Sequence, residues 1–114
     1  MIEKRQYPRV WLSVVMRYRP TGSLMDIWHP GTMANLGAGG FRFVATQAIE
    51  MGEKLEFQVS LPVRKNPYTL IGQVIWEHVG EGSSEYGVTF VNLSVEQRAE
   101  INALVEFLSK SPST

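Results

Sequence analysis

The residues of this sequence best suited to chemistry are two arginines near its start. Arg5-Gln6-Tyr7-Pro8-Arg9 places two guanidiniums four residues apart, just ahead of the first apolar–polar alternation. A guanidinium grips a phosphate with two parallel hydrogen bonds and lays its flat face on a purine. Pro8 keeps Tyr7 out of helical geometry and stiffens the link between the two arginines. A second segment, Asn35-Leu36-Gly37-Ala38-Gly39-Gly40, is rich in glycine. It is no phosphate-binding P-loop, because no Lys follows the glycines, and no dinucleotide fingerprint, because it joins two strand patterns. It reads as a flexible turn between strands.

Enzyme constellations are weak by comparison. His29 and His78 are the only histidines, and neither has metal-ligand spacing. Asp26 precedes His29 by three residues and Glu77 adjoins His78, but neither pair has a nucleophile to activate, and no G-x-S-x-G elbow exists. With no cysteine there is no thiol nucleophile, thiolate metal site or disulfide. The expectation is a protein without catalytic residues, metal or cofactor.

The 114 residues suit one domain. Eleven basic side chains balance eleven acidic ones, but unevenly. Residues 1–45 hold six basic groups (Lys4, Arg5, Arg9, Arg17, Arg19, Arg42) and two acidic ones, and the remainder carries the opposite excess. An anionic partner is therefore sought on the N-terminal part. No apolar run is long enough to span a bilayer, and Met1-Ile2-Glu3-Lys4-Arg5 lacks an apolar signal core. A soluble, cytoplasmic protein without membrane insertion is expected.

Period-2 alternation dominates and predicts strands. Val10, Leu12, Val14, Met16 and Tyr18 share one face of the first, opposite Trp11, Ser13, Val15, Arg17 and Arg19. A second strand falls within 26–36, with Pro30-Gly31 as an interruption. Phe41, Phe43 and Ala45 alternate in a third, and Leu55, Phe57, Val59 and Leu61 in a fourth over 54–61. Strands over about 68–78 and 85–92 follow, the last with Tyr86, Val88 and Phe90 on one face. The period then changes. Ser94 and Gln97 form a capping box, and Ile101, Leu104, Val105 and Leu108 make one apolar stripe. This predicts an amphipathic helix over 95–109, with Phe107 off the stripe. At least two of Trp11, Trp28 and Trp76 are expected in the core. The expected class is mainly β: a six-stranded antiparallel barrel with a C-terminal helix.

The chain resembles the PilZ domain family, bacterial receptors for the second messenger cyclic di-GMP. Arg5 and Arg9 match the family's R-x-x-x-R. Asn35, Gly37 and Gly40 stand in its [DN]-x-S-x-x-G segment, with Gly37 where the family has Ser. Tyr86-Gly87-Val88-Thr89-Phe90 and the ending helix are similar to the family's last strand and tail. The resemblance implies a PilZ-like barrel of the split-barrel type over 10–110, a flexible arginine switch segment over 1–9 and a frayed tail over 111–114. It also implies that Arg5 and Arg9 bind phosphates and stack on guanine, that Asn35 bonds a guanine edge, and that Gly40 keeps the backbone close to the ligand.

Three readings follow. The first is a stand-alone receptor for cyclic di-GMP that relays its signal to a protein partner of unknown identity by ordering the N-terminal segment. The second is a PilZ-like adaptor that does not bind nucleotide and acts through protein–protein contacts. The third, single-stranded nucleic-acid binding, is disfavoured by the zero net charge. No nucleic-acid partner is expected.

Overall fold

The computed structural model describes residues 9–60 and 66–110, with side chains over 13–60 and 66–107. Six strands and one helix follow in chain order: β1 (Arg9–Pro20), β2 (His29–Gly37), β3 (Gly40–Ala45), β4 (Lys54–Val59), β5 (Tyr68–Val79), β6 (Ser84–Phe90) and α1 (Val95–Lys110). The strands close into a barrel in the order β1-β2-β3-β6-β5-β4, with every neighbouring pair antiparallel. Among the described residues, closure leaves no edge strand to pair with another chain.

The alternation predicts the interior. Met16 and Tyr18 of β1, Phe41 and Phe43 of β3, Leu55, Phe57 and Val59 of β4, and Tyr86 and Val88 of β6 are all buried. The barrel centre is aromatic: Phe41 meets Phe57 edge-on at 4.8 Å, and Phe43 contacts Phe57 and Tyr86. Truncating one such ring to Ala typically costs about 3–5 kcal/mol. The Tyr86 hydroxyl donates to the Gln47 carbonyl and accepts from the Ile49 amide, both at 3.1 Å, so it anchors the β3–β4 connection.

The capping box forms as the residue types dictate. Gln97 N–H donates to Ser94 Oγ at 3.0 Å, and Ser94 N–H donates to Gln97 Oε1 at 3.2 Å. Ile101, Leu104 and Val105 enter the same core as the strands. Phe107 is exposed, beside Tyr68 and Leu104.

Three expectations need correction. First, β2 runs through Pro30-Gly31 without a break, Pro30 opposite Arg17 and Gly31 opposite Met16. Pro30 is the second residue of the strand, where a missing N–H is tolerated. Secondly, Asn35-Leu36-Gly37 belong to β2 and Gly40 to β3, so only Ala38-Gly39 remain as the turn. Thirdly, neither Trp28 nor Trp76 is in the core. The phenylalanines and tyrosines fill the small barrel, and both indoles lie on its outside. Leu61 and the N-terminal segment 1–8 lie outside the described residues.

Candidate functional site

The ladder brings the motif residues into one neighbourhood. Arg9 opens β1 as the register partner of Gly37, and Trp11 faces Asn35. Asn35 in turn faces Arg42 of β3, Arg42 faces Gly87 of β6, and Gly87 faces Trp76 of β5. A single row therefore crosses five strands from Trp11 to Trp76. From Asn35 to Trp76, these register partners present the same face of the sheet. All three irregularities of the described ladders adjoin this row: between Trp11 and Val14, between Met33 and Asn35, and between Val74 and Trp76. Bulges bend a strand and re-aim its side chains, and they concentrate next to sites.

Asn35 is the one buried polar side chain among the described residues, at 2% exposure. Its Oδ1 accepts from the Arg42 amide at 3.0 Å, at the bulge where the ladder would otherwise leave that amide unserved. Asn35 thus fixes the junction of β2 and β3.

The turn itself is tied down from two sides. Thr89 Oγ1 and the Phe90 amide both donate to the Gly39 carbonyl, at 3.3 and 3.1 Å. An Arg98 guanidinium N–H from α1 donates to the Ala38 carbonyl at 3.2 Å. Gly40 pairs with Thr89, and a Cβ there would lie 1.9 Å from the Val88 carbonyl oxygen. The close approach at Gly40 is therefore to the backbone of β6. A residue with a side chain would force β3 and β6 apart.

Two side chains that the sequence reading left out of the site complete the row. The Arg42 guanidinium lies over the Trp76 ring, 4.6 Å from its centroid. Gly87 makes this possible, because its missing Cβ would meet Trp76 Cβ at 3.1 Å. Trp76 is 37% exposed and stacks with His78 at 13° between planes. An exposed indole carrying a cation is a platform for a flat, anionic heterocycle. The available signal was Gly87, a glycine inside the strand pattern Tyr86-Gly87-Val88, which marks a close approach.

Arg5 lies outside the described residues. Arg9, Asn35 and Gly37 are adjacent in the ladder, and Gly40 follows across the two-residue turn. Among the described residues no group of three or more His, Asp or Glu side chains is placed to hold a metal, and no helix is long and apolar enough to cross a membrane.

Comparison with known proteins agrees with this fold. Many solved structures share the fold, three of them as follows. An inhibitor of motility from Bacillus subtilis superposes with a TM-score of 0.76 at 16% identity, over 97% of this chain and 55% of that one. The PilZ domain of YcgR from Escherichia coli, solved with c-di-GMP, gives 0.74 at 13% identity, over 95% and 93%. MrkH from K. pneumonia, in complex with c-di-GMP, gives 0.76 at 12% identity, over 95% and 52%. The chain thus spans about half the length of the first and third of these proteins. No curated protein sequence matches it significantly. The model of the PilZ domain matches residues 3–107, nearly the whole of the barrel and helix, and the chain belongs to the PilZ domain family.

Proposed function

We propose that this domain is a non-catalytic receptor for cyclic di-GMP. The observation that carries the reading is the pairing of Arg9 with Gly37, which brings the end of the R-x-x-x-R run alongside the Asn35–Gly40 segment. The ligand is a dianion with two flat bases. Arg5 and Arg9 serve its phosphates and stack on guanine, while Asn35, Gly37 and Gly40 form the facing segment. Trp76 with Arg42 supplies a further stacking surface on the same row. Two of the structural neighbours are themselves c-di-GMP complexes, which supports the ligand class. Binding orders the segment ahead of β1 over the site, and a partner protein reads the altered surface.

Gly37 stands where the family has Ser. A lost neutral hydrogen bond costs about 0.5–1.5 kcal/mol, roughly 2- to 12-fold in affinity. A water in the freed space can replace part of it. Binding is weakened by this and not abolished.

Isothermal titration with cyclic di-GMP, with GMP as control, tests the proposal. Selective binding that disappears in the Arg5→Ala/Arg9→Ala double variant is the expected result. No binding up to about 100 μM, an affinity weaker than roughly −5.5 kcal/mol, contradicts it. That outcome favours the adaptor reading, which Gly37 motivates.

A further inference from the structure

Two arginines stand side by side on β1, and β4 answers them differently. Arg19 is the register partner of Glu56, and Arg17 of Gln58. Arg19 Nε donates to Glu56 Oε1 at 2.9 Å, and its Nη1 donates to Asp26 Oδ1 at 2.8 Å. Arg17 Nε donates to Gln58 Oε1 at 2.8 Å. The Trp28 indole lies against both guanidiniums, whose central carbons are 4.6 and 4.4 Å from its centroid. Trp28 Nε1–H donates to Asp26 Oδ1 at 2.8 Å, which locks the indole in place.

The two carboxylates of this cluster therefore both engage Arg19. Arg17 is held by a neutral amide and an aromatic face, so it is positioned without being neutralised by any described residue. A guanidinium fixed at Nε and on one face keeps its terminal N–H groups in fork geometry, suited to an incoming carboxylate. Arg17, Trp28, His29, Gln58 and Ser60 line an open cleft of about 520 Å³ with Val15 at its edge. Val15 is exposed, as are Met25 and Ile27 in the segment that carries Asp26 and Trp28.

We infer that this outer face of β1 docks a partner protein through an acidic segment, with a Glu or Asp carboxylate on Arg17 and a neighbouring aliphatic side chain against Val15. Charge complementarity selects the acid. The openness of the cleft and the exposed apolar side chains around it select a protein segment over an enclosed small molecule. The surface is separate from the nucleotide site: Arg17 lies eight residues along β1 from Arg9, roughly 26 Å at strand spacing. The inference does not rest on nucleotide binding, and its test uses none.

The test is a 15N NMR titration of the whole chain with the capped peptide Ac-Ala-Leu-Glu-Leu-Ala-NH2, its Gln counterpart and sodium acetate, at constant ionic strength. The Glu peptide is expected to shift the Trp28 indole N–H and the Arg17 Nε–H saturably, and the Gln peptide to bind at least about tenfold more weakly. Gln58→Glu hands Arg17 a carboxylate and is expected to reduce Glu-peptide binding about tenfold, with the Trp28 indole resonance confirming the fold. Equal binding of the two peptides overturns the inference. So does an acetate response as strong as the peptide's, which makes the site one for small anions, and so does the absence of any shift.

Discussion

Arg42 on Trp76 and the Arg17–Trp28–Arg19 cluster are the same chemical contact in two settings. On the β3–β6–β5 face, one arginine lies on one exposed indole, and no carboxylate pairs with it among the described residues. On the β1–β4 face, two arginines contact one indole, and Asp26 and Glu56 neutralise one of them. The difference lies in what surrounds the contact. Gly40, Gly87 and the irregularities at Met33/Asn35 and Val74/Trp76 adjoin the first setting. Regular register and cross-strand hydrogen bonds build the second. The first pair lies beside irregular ladder positions, and the second leaves Arg17 without a carboxylate partner among the described residues.

The largest expected effect breaks the first setting. Gly40→Val drives a side chain into the Val88 carbonyl and is expected to destabilise the fold by about 3 kcal/mol or more in urea unfolding. A loss under about 1 kcal/mol means that the β3–β6 approach yields easily and does not fix the turn. Next, Trp76→Ala is expected to weaken cyclic di-GMP binding by about 1–3 kcal/mol, the scale of base stacking on an aromatic ring. Trp28→Ala is expected to leave that affinity within about 0.5 kcal/mol, since the sites are distant. Equal losses by titration calorimetry erase the distinction between the two faces.

The smallest effect concerns Tyr18, between Arg17 and Arg19 but turned inward. Its hydroxyl is buried with no hydrogen-bond partner among the described residues, and burial pushes its pKa from 10 to about 12, with the charges of Tyr86 and Glu53 adding to the rise. Tyr18→Phe removes an unpaired polar group and is expected to be neutral or stabilising by about 1 kcal/mol at pH 7. The sign of the pH effect follows from the raised value. The folded state prefers the neutral phenol, so this contribution is whole below pH 10 and is lost as the pH rises toward 12. The Phe variant lacks that alkaline loss. Destabilisation at pH 7 by more than about 1 kcal/mol means the hydroxyl does have a role in the core.

Alternation made the barrel legible. Phe41, Phe43, Leu55, Phe57 and Val59 were placed inside by period alone, and Ser94 with Gln97 marked the helix start. Proximity of Arg9 to Gly37 was not legible from spacing, because it depends on the register of β1 on β2 and on the bulge after Trp11. Trp28 and Trp76 depart from expectation for a related reason. Hydrophobicity ranks indole as core, but Phe and Tyr fill the small barrel, and arginine contacts hold both indoles on its outside, two at Trp28 and one at Trp76. Arg42 was visible only as a charge. Its role depends on Gly87 and Trp76, which lie 45 and 34 residues away in sequence and next to it across β6 and β5.

The contrast between the two faces is tested most directly by one spectrum. Indole N–H resonances of Trp28 and Trp76, assigned with single Trp→Phe variants, are followed by 15N NMR as cyclic di-GMP is added. The account predicts that Trp76 shifts saturably with the ligand while Trp28 stays within the spread of unperturbed resonances. A saturable shift of Trp28 with Trp76 unmoved contradicts it and moves the nucleotide to the β1–β4 face.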